Sequence, residues 1–207
     1  LLTKILPGRQ FPYPKSLYAV HDTINFFVAN KPNALIVDFF AGSGTTLHAV
    51  NLINHEDGGN RRCIIVTNNE VSDEEETDFT NRGIVRGSSE WETKGIARFI
   101  TWPRTVCSIK GQDINGNPIK GEYLTYSEES IPMAEGFKAN VEYFKLGFLD
   151  KTAVALGMQF KEMLPLLWMK AGAIGKCPII EGDKLPEMLI LPQNRFAVLI
   201  DENLFHK

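Results

Sequence analysis

Asp38 sits near the end of the apolar run "ALIVDFF" at 34–40 and is followed by Ala41, Gly42, Ser43, Gly44, Thr45 and Thr46. A carboxylate there can accept a hydrogen bond from a ligand amine or hydroxyl, because open α/β sheets bind ligands at the carboxyl ends of their strands. Gly42 and Gly44 let the backbone turn sharply and leave no Cβ in a ligand's way. A helix starting just after them points free N–H groups at the same spot. The chemistry is recognition of a small polar molecule. A tight strand–helix turn without a ligand is the plain structural alternative.

Three ligand classes compete for such a turn. A phosphate-cradling loop needs a lysine after its last glycine, and none follows Gly44. A dinucleotide turn places a third glycine where this chain has Leu47. A ligand without that phosphate requirement is left, and a cofactor made of methionine and adenosine suits the site.

The elements that must position these residues follow from periodicity. Residues 16–29 predict a helix capped by Ser16, with Leu17, Val20, Ile24, Phe27 and Val28 on one face. "ALIVDFF" predicts a strand buried on both faces, "TTLHAVNLIN" a helix packed through Leu47, Val50 and Ile53, and "CIIVT" a second strand. Strand, helix and strand in that order are the unit of a parallel sheet. Ser72 and Glu75 form a capping-box pattern, so the acidic run after Val71 is a solvated helix start. "DINGNPI" predicts a hairpin or tight turn, and 141–149 a strand. The stretch from Lys151 predicts helix broken at Pro165, and 195–200 one more buried strand.

Bulk properties bound the rest. The 207 residues are 43% hydrophobic with a net charge of −3, enough for one sizeable core or two modest ones and without a basic excess for nucleic acid. Cys63, Cys107 and Cys177 are far apart and form no CxxC pair, which argues against a zinc site or a disulfide framework and fits a reducing compartment. With no membrane-length apolar run and no signal peptide, a cytoplasmic location is expected. The start at Leu1 and the stop just after a strand-like run suggest a piece of a larger protein.

"FPYPKS" at 11–16, "DFFAGSGTT" at 38–46 and "VTNNE" at 66–70 resemble, in this order, the tenth, first and second motifs of the β group of S-adenosylmethionine-dependent amino-group DNA methyltransferases. Within that group the chain is most similar to the adenine-methylating modification subunits of type III restriction systems, over roughly 11–150. The resemblance implies an α/β fold of the Rossmann-like methyltransferase type: a three-layer sandwich with a mostly parallel sheet, an antiparallel hairpin at one edge near 141–149, and a helix-rich extension. It implies a cofactor-binding domain over 1–150 and an extension over 151–207.

The resemblance also implies roles. Pro14, Lys15 and Ser16 start a helix that holds the cofactor's carboxylate. Asp38 meets the methionine amino group, Phe39, Phe40, Gly42 and Gly44 shape the floor, and Thr45 caps the next helix and touches the ligand. The ribose is held by Glu70 or by Asn68. The family's catalytic [DNS]-P-P-[YFW] loop orients the adenine amine and stacks on the flipped base. The chain contains no Pro-Pro pair, so no catalytic residue is assigned and the chain alone is expected to be inactive. DNA would be reached through a missing N-terminal half, and a restriction subunit is a further expected partner. The alternative is a non-catalytic binding module on a methyltransferase-like fold.

Other residues have ordinary readings. His21 is expected to be a buried or rim histidine, and neither His48 nor His55 has metal ligands at suitable spacing, so no metal site is assigned. Trp91, Trp102 and Trp168 are too dispersed for a base-stacking platform and belong to cores. Arg98 and Arg104, with Lys94 nearby, could contact DNA phosphates, and the plainer expectation is a surface position without a partner.

Overall fold

The computed structural model describes residues 1–125, 130–182 and 184–201. The chain divides into two compact units, Leu1–Tyr143 and Phe144–Lys207.

The first unit opens with a short helix, α1 (Leu2–Ile5), that the sequence reading did not contain. Leu2, Ile5 and Leu6 are nevertheless among its most buried residues, and the Ile5 carbonyl accepts from the Ile114 N–H at 3.0 Å. Helix α2 (Leu17–Val28) begins at Ser16, whose hydroxyl accepts from the Ala19 N–H. Leu17, Val20, Ile24 and Val28 line its inner side as the spacing requires. Phe27 is 65% exposed and drops out of that face, while His21, one turn beyond Leu17, is buried in it.

Strand β1 (Leu35–Asp38), helix α3 (Thr45–Asp57) and strand β2 (Arg62–Ile65) form the expected strand–helix–strand unit, with β1 and β2 paired in parallel from Leu35 opposite Arg62 to Asp38 opposite Ile65. Helix α3 packs against both α2 and β2 and buries Leu47, Ala49, Val50, Leu52 and Ile53. The buried Arg61 joins the far ends of these helices. Its guanidinium donates to the carbonyls of Val28 and Ala29 at 2.9 and 3.1 Å and pairs with Asp57 at 2.8 Å. The last carbonyls of α2 thereby gain a cationic donor, Val28 in addition to the Lys31 N–H at 2.8 Å.

Beyond β2 come α4 (Asp73–Asn81) and α5 (Ser89–Lys94), then a π-helical turn at Ala97–Thr101 that runs directly into α6 (Trp102–Lys110). Ser72 caps α4 by accepting from the Glu75 N–H at 3.3 Å, as the capping box requires, and the four acidic residues follow in the first turn. Strands β3 (Glu122–Tyr123) and β4 (Ile131–Pro132) pair antiparallel. The "DINGNPI" segment is the expected tight turn: the Asp113 carboxylate accepts from the N–H groups of Asn115 and Asn117 at 2.8 and 2.9 Å, and Gln112 bridges to Pro118.

The mixed α/β class is as expected; among the described residues it is built on small two-stranded sheets, of which β1–β2 alone is parallel, and no three-layer sandwich is shown. Two finer expectations are corrected. The strand buried on both faces is covered on one: Ile36, Cys63 and Ile65 are half-buried, while Leu35, Val37 and Ile64 on the opposite face are 46–51% exposed. An alternating pattern results because α3 packs on β2 from one side, while Leu35, Val37 and Ile64 on the other side stay exposed. The edge hairpin near 141–149 is absent; that stretch carries no strand, and antiparallel pairing falls at β3–β4 instead.

The second unit contains α7 (Lys151–Ala155), α8 (Phe160–Lys170) and the antiparallel pair β5 (Met188–Leu191) and β6 (Phe196–Leu199). The helical break expected at Pro165 lies instead at Gly157, which has φ +72°, and α8 runs through Pro165. Strand β6 is present where expected, but its residues alternate between half-buried and exposed. Leu164 and Trp168 are buried, and the Trp168 indole N–H donates to the Ile174 carbonyl at 3.2 Å.

Candidate functional site

The turn after β1 is built by hydrogen bonds from three sides. At its base the Asp38 carboxylate accepts from the Phe40 N–H at 3.1 Å on one oxygen and from the Thr46 hydroxyl at 2.6 Å on the other. Each oxygen has a further lone pair for a ligand donor. Across to the next strand, the Ala41 N–H donates to the Val66 carbonyl at 3.1 Å, and the Val66 N–H donates to the Asp38 carbonyl at 2.7 Å. Phe39 and Phe40 stand out from this frame, 67% and 95% exposed.

Gly42 and Gly44 have φ of +49° and +74°. Gly44 is the N-cap of α3, so the helix is capped by backbone geometry and not by the Thr45 side chain. The glycines also allow close approach. A Cβ on Gly42 would lie 3.4 Å from the Phe11 ring, and one on Gly44 would lie 3.1 Å from Thr101 Cγ2. The Phe11 contact joins the "FPYPKS" stretch to the glycine turn. Pro14, Lys15 and Ser16 are exposed at the entry to α2.

The third side comes from the π-turn and α6. The Thr101 hydroxyl is shared between the carbonyls of Gly42 and Ile96. One helical turn on, Arg104 Nη1 donates to the Ser43 carbonyl at 3.2 Å, the Ser43 hydroxyl at 2.9 Å and the Thr45 hydroxyl at 2.7 Å. Arg104 is 2% exposed, which corrects its expected surface position. Burial lowers its guanidinium to about 10, so it is still protonated at neutral pH. Pro103 accounts for the irregular helix here. It lacks the N–H that would bond the Phe99 carbonyl, and that carbonyl accepts from Arg9 instead, with the guanidinium 4.1 Å from the Phe99 ring centre.

At the tip of β2, Asn68 and Glu70 are exposed, and the Asn68 amide donates to the Glu70 carboxylate at 2.7 Å. The two candidates for the ribose therefore form one polar pair. Asn69 between them is structural: its amide donates to the Glu92 carbonyl at 2.8 Å, and its carbonyl accepts from the Arg98 N–H at 3.2 Å. The Glu70 carbonyl accepts from the Ile96 N–H at 2.9 Å, tying the strand tip to the start of the π-turn.

Two histidines of the first unit, His21 and His48, are buried. His48 Nε2 pairs with the Tyr123 hydroxyl at 2.9 Å, and burial together with the nearby Arg104 charge holds its pKa well below the usual value. His21 lies 2.6 Å from Glu56 and 3.0 Å from Asp22, and the Glu56 hydrogen bond raises its pKa against the effect of burial. Among the described residues, no three His, Cys, Asp or Glu side chains are grouped to hold a metal ion.

Phe11, Thr46, Thr101 and Arg104 were not singled out from the sequence as parts of the site. For the last two a signal existed: they are three residues apart beside Pro103, which puts them on one helix face. Nothing local showed which way that face points.

No family model matches the chain. It is 47% identical over 68 residues to the type II methyltransferase M.KpnI of Klebsiella pneumoniae, covering 33% of this chain and 16% of that protein. It is 37% identical over 70 residues to the Mod subunit of the type III restriction-modification enzyme EcoPI of Escherichia phage P1, covering 34% and 10%. About a third of the chain is homologous to methyltransferases of restriction-modification systems. The StyLTI Mod subunit of Salmonella typhimurium adds 57% identity over 40 residues, 19% of this chain and 6% of that protein. The matched stretches thus span well under a fifth of each relative. Among the described residues no helix is long and apolar enough to cross a membrane.

Proposed function

We propose that residues 11–70 form the S-adenosylmethionine-binding part of a site-specific DNA methyltransferase that modifies an adenine amino group. The observation that carries this reading is the Asp38 turn. Its carboxylate is fixed by Thr46 and Phe40 yet keeps lone pairs for an ammonium group. The residues fit the zwitterionic methionine end of the cofactor. Asp38 would take the amino group, while the N–H groups at the start of α2 and the Ser16 hydroxyl would take the carboxylate. Asn68 and Glu70, already paired, would receive the ribose hydroxyls. Phe39 and Phe40 would line the floor. When bound, the cofactor supplies an activated methyl group.

This chain orients that cofactor and performs no transfer by itself, because it has no Pro-Pro loop to hold the target amine. DNA contact, and any partnership with a restriction subunit, belong to the remainder of such an enzyme. Photolabelling with radioactive S-adenosylmethionine, followed by peptide mapping, tests the reading. Label is expected in the peptides spanning 11–16 and 38–50. Label confined to other peptides, or undiminished by excess unlabelled cofactor, would overturn it.

A further inference from the structure

Arg104 presents a physical puzzle. It is a buried cation whose Nη1 is met only by neutral oxygens, its Nε has no hydrogen-bond partner, and no carboxylate lies within ion-pair distance among the described residues. Burying a guanidinium with no carboxylate to offset its desolvation is unfavourable. Its contacts point elsewhere. Arg104 and Thr101, three residues apart on one helix face, hold Gly42, Ser43 and Thr45 of the glycine turn. The same face sets the space at Gly44, where an added Cβ would meet the Thr101 methyl.

We infer that Arg104, with Thr101, is a positioning pair for the cofactor turn: it fixes the turn's backbone from beneath so that Asp38 and the first N–H groups of α3 are held in place before a ligand arrives. Arg104 is too buried to touch a ligand, so it acts through the turn. The inference rests on the cofactor reading of this site and predicts a residue requirement outside all three sequence motifs. Pre-ordering of this kind raises affinity by lowering the entropy lost on binding.

Two readouts on the whole chain test it: amide hydrogen exchange of the peptide spanning 38–50 without ligand, and calorimetric titration with S-adenosylmethionine. Arg104→Met should still fold with a lowered unfolding midpoint, because the buried Ser43 carbonyl loses its donor, while exchange in that peptide should quicken about tenfold and cofactor affinity should fall by a similar factor, the loss of roughly one well-formed hydrogen bond. Arg104→Lys, which keeps the charge and part of the donor set, should recover part of both. A folded Arg104→Met protein with unchanged exchange and unchanged affinity would overturn the inference, because a merely space-filling arginine predicts that result. Should Arg104→Met fail to fold, Thr101→Val decides, since it keeps the shape and removes only the hydroxyl that holds Gly42. Faster exchange at the turn supports the pair, and unchanged exchange refutes it. If the native protein does not bind the cofactor, the functional reading fails and the exchange measurement alone judges the positioning role.

Discussion

Gly44→Ala offers a quantitative test of how the turn is packed, because Gly58 supplies a matched control in the same helix. Gly44 caps the start of α3 at φ +74°, ψ +28°, and Gly58 caps its end at φ +68°, ψ +17°. Placing alanine at either costs about 1–2 kcal/mol for the left-handed conformation alone. The surroundings then separate them. A Cβ at Gly58 has no neighbour within 4 Å, whereas at Gly44 it would lie 3.1 Å from Thr101 Cγ2. Overpacking of that order adds about 1–3 kcal/mol. Gly58→Ala should therefore lose about 1–2 kcal/mol and Gly44→Ala about 2–5 kcal/mol in urea unfolding followed by tryptophan fluorescence. Thr101→Ser removes the opposing methyl and keeps the hydroxyl, so combining it with Gly44→Ala should recover most of the excess. Equal losses at the two glycines, or no recovery in the double variant, would refute the packing argument.

Other expectations follow from the same contacts. Replacing the buried Arg61 with methionine leaves the Ala29 carbonyl without its donor, strips Val28 of all but the Lys31 N–H and breaks the Asp57 pair, and should cost about 3 kcal/mol, measured by the same unfolding assay. Ser72→Ala should cost about 1 kcal/mol of local stability and be seen as faster hydrogen exchange in α4. The two buried histidines act on stability in opposite directions around their unfolded value of about 6.5. His48 has a lowered folded pKa, so its contribution is complete above that value and is lost as pH falls below it. His21 has a raised one, so its contribution is complete below that value and is lost as pH rises through the folded pKa. Unfolding measured from pH 5 to 8 should show the acid limb flattened in His48→Gln and the alkaline limb flattened in His21→Gln.

How much of this was legible in the sequence depended on the range of the interaction. Ser16, Ser72 and Asp113 act on backbone groups two to four residues away, and the helix starts and the tight turn came out where their types and spacing put them. The β1–α3–β2 unit was legible because both apolar runs are short and separated by one helical period pattern. Long-range arrangements were not. Leu35, Val37 and Ile64 have the composition of strand residues buried on both faces, yet burial needs a second layer that no local pattern can guarantee. Residues 141–149 alternate like a strand but have no ladder partner, so their backbone is irregular. Gly157, with positive φ, ended a helix that Pro165 did not. Within the site, Asp38, Gly42 and Gly44 stood out because the turn is contiguous. Thr101 and Arg104 did not, because their role exists only when α6 is folded against a turn some sixty residues earlier in the chain.

Binding of S-adenosylmethionine at the Asp38 turn is tested by calorimetric titration of that cofactor into the chain, in parallel with an Asp38→Ala variant. Saturable binding at one site is expected, with an affinity at least about tenfold weaker in the variant, the loss of one charge-assisted hydrogen bond. Binding of equal strength to both proteins would contradict it, as would no heat of binding from a native protein whose Asp38–Thr46 hydrogen bond is intact.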